Sequence, residues 1–178
     1  MARFGSWGLA AVAAVVLTPV MWAQADTVKG TVTAGATKIT LAGGMAVGYT
    51  SATGPLISVV VSDTNPDRQA FATDTNTGPG EPLAPATFEG AWKSQHLGKK
   101  LSGFTFTVDA KANLISDEFL VGGKSNTFSL GSDEYVIELK STSPRVVGRI
   151  RTKTPIVDAG STKAGLDVMF DLAVTPRK

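Results

Sequence analysis

An all-β fold, arranged as a single-domain antiparallel β-sandwich, is what this sequence predicts, and three observations predict it. Apolar and polar residues alternate with a period of two in segment after segment, Thr and Val are frequent within those segments, and Gly, Pro, Asn and Asp punctuate them. No segment sustains a helical period for more than a few turns. A sheet closed into a β-barrel is the alternative architecture.

The first segment lies outside that fold. Arg3 precedes an uncharged run that ends in Ala23-Gln24-Ala25, just before Asp26. A short basic start, an apolar middle and small residues at the end are what an export signal needs to enter the translocon and be cut. The run is close to the ~20 residues that span a bilayer, so a retained anchor is the rival reading. Pro19 breaks the run, and the Ala-x-Ala site stands where a peptidase would act. The expectation is a signal peptide over 1–25 and one domain over 26–178, periplasmic or secreted, which meets the membrane only during export. About 150 residues bury about 70% of the surface that their unfolded chain would expose, enough for one core.

Strands are predicted at 28–33, 37–41, 56–62, 101–108 and 114–119. The run Leu56-Ile57-Ser58-Val59-Val60-Val61 is the most continuous apolar segment and reads as a central strand. In 101–108, Phe104, Phe106 and Val108 share one face, and Gly103, Thr105 and Thr107 the other. Asp109 to Asn113 then closes a hairpin through local side-chain hydrogen bonds. The last third reads as an antiparallel meander. Tyr135, Ile137 and Leu139 form one apolar row, Val146, Gly148 and Ile150 a second, and Leu166, Val168, Phe170, Leu172 and Val174 a third. Pro144 marks the turn between the first two rows. The stretch 63–86, dense in Thr, Asn, Pro and Gly, reads as a long irregular loop, and 90–100 as room for one helical turn carrying Trp92 and His96.

Four stretches resemble a broad set of exported bacterial β-sandwich proteins without an established function. They are Lys29-Gly30-Thr31-Val32-Thr33; Val59-Val60-Val61-Ser62-Asp63; Leu101-Ser102-Gly103 through Val108-Asp109 and on to Leu114-Ile115-Ser116; and Gly148-Arg149-Ile150 with Thr152-Lys153-Thr154-Pro155 before Asp171-Leu172. Each is a strand-and-turn pattern, so the resemblance implies a fold and an address without a chemistry. Gly43-Gly44-Met45 departs from it, where a more regular strand is expected.

Composition narrows the function. The chain has no cysteine, which removes disulfides, thiolate nucleophiles and sulfur-ligated metals. Its formal net charge is +2, and only Arg3 of the charged set falls in the predicted signal, so the strongly basic face that nucleic-acid binding requires is not expected. No cofactor is implied.

Several local patterns invite a chemistry and fall short of it. His96 is the one histidine, has no Gly-x-Ser-x-Gly elbow to serve, and reads as a solvated loop residue. Asp63-Thr64-Asn65-Pro66-Asp67 spaces oxygen ligands as a calcium loop does, with Asp74 twelfth, yet Arg68 stands where that loop needs Gly, so a turn is expected. Gly122-Gly123-Lys124-Ser125 resembles the end of a phosphate loop, but Glu118 replaces the leading Gly. The pairs Asp117-Glu118 and Asp133-Glu134 point to opposite strand faces and read as turn and surface charges.

One surface remains. Arg145, Arg149, Arg151 and Lys153 fall on one face of one strand and could bind an anionic polymer through phosphate or carboxylate. The competing expectation is cross-strand neutralisation by Glu134, Glu138, Asp167 and Asp171. The sequence is therefore read as a binding or interaction module without catalysis, its partner an envelope or extracellular polyanion or a protein. A carrier of a small apolar ligand, given space by the Gly and Ala residues between Ala34 and Gly54, is the alternative, and a carboxylate-based hydrolase a more distant one.

Overall fold

The computed structural model describes residues 24–67, 95–98, 101–121, 128–160 and 162–176. The strands are β1 (Thr27–Ala34), β2 (Thr37–Thr40), β3 (Gly43–Ser51), β4 (Gly54–Ser62), β5 (Gly103–Asp109), β6 (Leu114–Leu120), β7 (Tyr135–Ser141), β8 (Arg145–Thr152), β9 (Val157–Ala159) and β10 (Thr162–Pro176). A 3-10 turn at Ser132–Glu134 and a helical turn at 95–97 are the helical pieces among the described residues.

The alternation in the last segment produces the strand that organises the rest. Leu166, Val168, Phe170 and Leu172 of β10 are buried, while Asp167, Met169 and Asp171 between them face outward. On one side β10 pairs antiparallel with β1, setting Val28 against Phe170 and Val32 against Leu166. On the other it pairs antiparallel with β8, setting Ile150 against Val168, and then with β9. β2 extends the sheet beyond β1, and β7 extends it beyond β8. The Ser143–Pro144 peptide in the turn between β7 and β8 is cis.

The second layer is β3-β4-β5-β6, antiparallel throughout. β10 outruns the first sheet, and its last residues, Val174 to Pro176, lie parallel to Ala46 to Gly48 of β3. The sheet is therefore mixed, which corrects the all-antiparallel expectation: a 15-residue strand is long enough to serve both layers. No pairing among the described residues joins β2, β6 and β7 to one another, so the sheet is not closed into a barrel.

Between the layers sit Val32, Ile150, Val168 and Phe170 from one side and Val59, Val61, Phe104, Phe106 and Phe119 from the other. Phe106 and Phe170 meet across the layers at 5.5 Å between ring centres, and Phe104 meets Tyr135 at 5.8 Å. Each fully buried aromatic or large aliphatic side chain contributes about 1.5–3 kcal/mol, so this apolar interface holds the layers together. β4 is central, as its apolar run predicts, with β3 and β5 on its flanks. Its far face is also covered: Val60 packs with Met45, Val47, Leu101 and Leu120 in a second, smaller cluster.

β3 was the element the sequence obscured. Gly43-Gly44-Met45 opens a regular strand, because a side chain at Gly44 would crowd Val28 Cγ2 and the Val60 carbonyl oxygen, each 2.8 Å from where its Cβ would lie. The glycine fills a close approach and leaves no space there. The predicted Asp109 hairpin is present: Asn113 Nδ2 donates to Asp109 Oδ2 (2.8 Å), Asp109 Oδ1 accepts from the N–H groups of Asn113 (2.9 Å) and Lys111 (2.8 Å), and these bonds, the Asn113 side chain's first, hold its carboxyl below the usual carboxylate range.

Candidate functional site

Period-two geometry divides β8 into an inner row, Val146, Ile150 and Thr152, and an outer row that includes Arg145, Arg149 and Arg151, with Lys153 just past the end of the strand. Register then decides which cations meet acids. Arg151 lies opposite Asp167, and Arg149 lies opposite Met169 on β10 and Glu138 on β7. The longer reach is used: Arg149 crosses diagonally to Asp167 with a two-pronged contact, Nε at 2.8 Å and Nη2 at 2.6 Å. Arg149 holds the Asp167 carboxyl below its ordinary range, and Arg151 adds a smaller pull without an ion-pair contact.

Arg145 is engaged more heavily at the other end of the strand. Its Nε donates to Asp171 Oδ1 at 2.5 Å, and its Nη2 lies 3.1 Å from Asp26 Oδ1. Nη1 and Nη2 also donate to the carbonyls of Gln24 (3.0 Å) and Ala25 (3.3 Å). Hydrogen bonding to Asp171 comes first among the causes that raise its pKa.

Neutralisation of the row is thus half complete. Asp167 and Asp171 act as expected, whereas Glu134 and Glu138 make no ion pair with it among the described residues. Glu138 attracts Arg149 weakly, and Glu134 accepts the Lys153 backbone N–H through its own carbonyl at 2.9 Å. Arg151 and Lys153 have no ion-pair partner among the described residues.

These two cations border a shallow groove of about 600 Å³ on the outer face of the first sheet. Thr31 and Thr33 of β1 supply one wall, Arg149, Arg151 and Lys153 the other, with Asp167 between them. Gly165 of β10 lies beneath its end, where a Cβ would overlap the Pro155 carbonyl oxygen, so the chain leaving β8 folds across β10 and closes the groove there. Three cations against one carboxylate give the groove a positive potential that suits an anion. The threonines were missed at the sequence level. They alternate outward on β1, but only the β1–β10–β8 register brings them beside the cations.

The other patterns settle into structural roles. His96 is buried, correcting the solvated reading: the helical turn at 95–97 is tucked in, and His96 Nδ1 lies 2.9 Å from the Leu101 carbonyl. Asp63 and Ser102 exchange two bonds, Asp63 N–H to the Ser102 carbonyl (2.9 Å) and Ser102 N–H to Asp63 Oδ1 (2.8 Å). Gln95 grips both backbone groups of Asp67. These bonds staple 63–67 to Gln95 and Ser102, and no group of three or more His, Asp or Glu able to hold a metal occurs among the described residues. Arg68, Asp74, Trp92, the rest of 63–86 and Gly122 to Ser125 lie outside the described residues.

Asp117 is committed to structure as well, since its Oδ2 accepts from Leu130 N–H (3.0 Å) and Tyr135 Oη (2.5 Å). An apolar cleft of about 490 Å³ opens at the far end of the sandwich, lined by Tyr49, Pro55, Leu56, Ile57 and Val174 and bordered by the loop residues Ala110, Thr142 and Ser143. Comparison with protein-family models, with curated proteins and with solved structures found no match.

Proposed function

We propose that the chain is an exported, extracytoplasmic binding module that takes an anionic polymer of the cell envelope or surroundings along the outer face of its first sheet, without catalysis. The observation that carries this reading is the split within the basic row. Arg145 and Arg149 are locked to aspartates, while Arg151 and Lys153 stand over a hydroxyl-lined groove with no ion-pair partner among the described residues. Arg149 and Arg151 stand two residues, about 6.6 Å, apart on β8 and Lys153 follows just past its end, which matches a ligand that presents several charges in a row better than a single ion. His96, buried against Leu101, and Asp117, held by Tyr135, are committed to structural bonds. The Ala23-Gln24-Ala25 boundary supports export.

The test is binding of the exported protein to polyphosphate and to a sulfated glycan at low and moderate salt. Arg151→Glu with Lys153→Glu is expected to weaken binding by about tenfold or more and to flatten its salt dependence, since removed counterion contacts no longer contribute. Lys111→Glu, in the β5–β6 turn, is expected to leave it unchanged. Equal affinity in the double variant and the unaltered protein would contradict the proposal.

A further inference from the structure

The Arg145 cluster holds the chain at the very bond the export reading would cut. Gln24 Nε2 donates to Asp171 Oδ2 at 2.6 Å, the Gln24 and Ala25 carbonyls accept from Arg145, and Asp26 Oδ1 takes both Arg145 Nη2 and the Ala173 N–H (2.7 Å). The two parts of this arrangement respond differently to cleavage. Bonds made by the Asp26 side chain survive it, while those made by Gln24 and Ala25 are lost.

We propose that this cluster is a receptor for the new N-terminus, an amine-capture site that is completed only by processing between Ala25 and Asp26. The inference rests on the export reading. In the processing step water hydrolyses the Ala25–Asp26 amide: the C–N bond breaks, Ala25 leaves with the new carboxylate, and Asp26 gains the proton-bearing ammonium. Removal of Gln24 takes the donor from Asp171 Oδ2, while Arg145 Nε still occupies Oδ1. One carboxylate oxygen is left without its protein donor beside the place where a three-donor cation has just appeared.

Charge balance favours the same outcome. With the chain continuous, Arg145 faces two carboxylates, Asp26 and Asp171, and a terminal ammonium makes the cluster neutral. Register fixes its position, because Thr27 pairs with Asp171 and so holds residue 26 immediately beside that strand. The other charged groups on this face are Lys29 on β1, Glu138 and Lys140 on β7 and Arg149 on β8, which line the neighbouring shallow groove with Asp171. Arg145, the two lysines and Arg149, itself paired with Asp167, oppose the ammonium and Glu138 assists it. Asp171 already bonds the chain at Gln24 and Asp26 carries the ammonium itself, so these two carboxylates prevail.

A captured ammonium is stabilised in its charged form, so its pKa in the folded protein lies above the ordinary ~8 of a free α-amino group. The linked stability is fully present below pH ~8 and is lost as pH rises through the raised value. The experiment expresses the full chain in an exporting host, recovers the exported product, sequences its N-terminus and titrates the α-amino group by NMR. The expected result is a terminus at Asp26 titrating on the order of one unit above the ordinary value, with Asp171→Asn restoring the ordinary value. A mature terminus elsewhere would overturn the export reading on which the receptor rests. An Asp26 terminus that titrates at the ordinary value in the unaltered protein would overturn the receptor alone.

Discussion

Tyr135 shows how one side chain joins the two layers. It begins β7 in the first sheet, its ring lies against Phe104 of the second, and its hydroxyl reaches Asp117 of β6. Burial, with the Asp117 carboxylate adding to it, pushes the phenol well above its ordinary range. The neutral phenol is therefore favoured by folding, and the unfolded chain releases its proton first once pH passes about 10. Stability from this residue is present below pH 10 and falls as pH rises above it. The expected outcome is an unfolding midpoint that drops steeply above pH 10 in the unaltered protein and less steeply in Tyr135→Phe. At neutral pH that variant loses about 1–3 kcal/mol, since Asp117 keeps only part of its hydrogen bonding. Equal alkaline slopes would show that Tyr135 is not the group responsible. The apolar row containing Tyr135 was legible in the sequence. The role of Asp117 was not, because its partners Leu130 and Tyr135 lie 13 and 18 residues away and only folding brings them together.

At the scale of elements, alternation located strands wherever one face is apolar and the other polar, as in β8 and β10. It failed at β3, buried on both faces and opened by two glycines, where no period of two survives. The requirement there is steric, and it gives a prediction: Gly44→Ala forces a methyl group against Val28 and the Val60 carbonyl and lowers stability by about 1–3 kcal/mol in urea unfolding. A variant as stable as the unaltered protein would mean that the layers are not in such close contact at this point. The bonds of Asp63 and Gln95 illustrate a different limit. Asp63, read as a turn residue, in fact bonds Ser102 across 39 positions, and Gln95 supplies to Asp67 the donor and acceptor that a neighbouring strand would otherwise give. Nothing local in either segment announces that pairing.

For the whole molecule, the all-β architecture was legible because inner rows of large apolar residues recur in most strands. The parallel junction of β10 with β3 was not, since no local signal marks the point at which a strand leaves one sheet for another. Because β10 pairs with β1, β3, β8 and β9, a charge in its buried row should disrupt both layers. Phe170→Asp removes the Phe106 contact and buries a carboxylate, and it is expected to abolish cooperative unfolding, read as loss of the near-ultraviolet dichroism band. A soluble mutant with a sharp transition would contradict this placement of the core.

The same organisation leaves the outer face of the first sheet as the surface on which register gathers threonines and cations with no ion-pair partner among the described residues. Chemical-shift mapping of the protein titrated with polyphosphate tests that claim most directly. The account predicts shifts centred on Thr31, Thr33, Arg151 and Lys153. Shifts confined to the apolar end cleft around Tyr49, Ile57 and Val174, or to the far face of the second sheet, would contradict it.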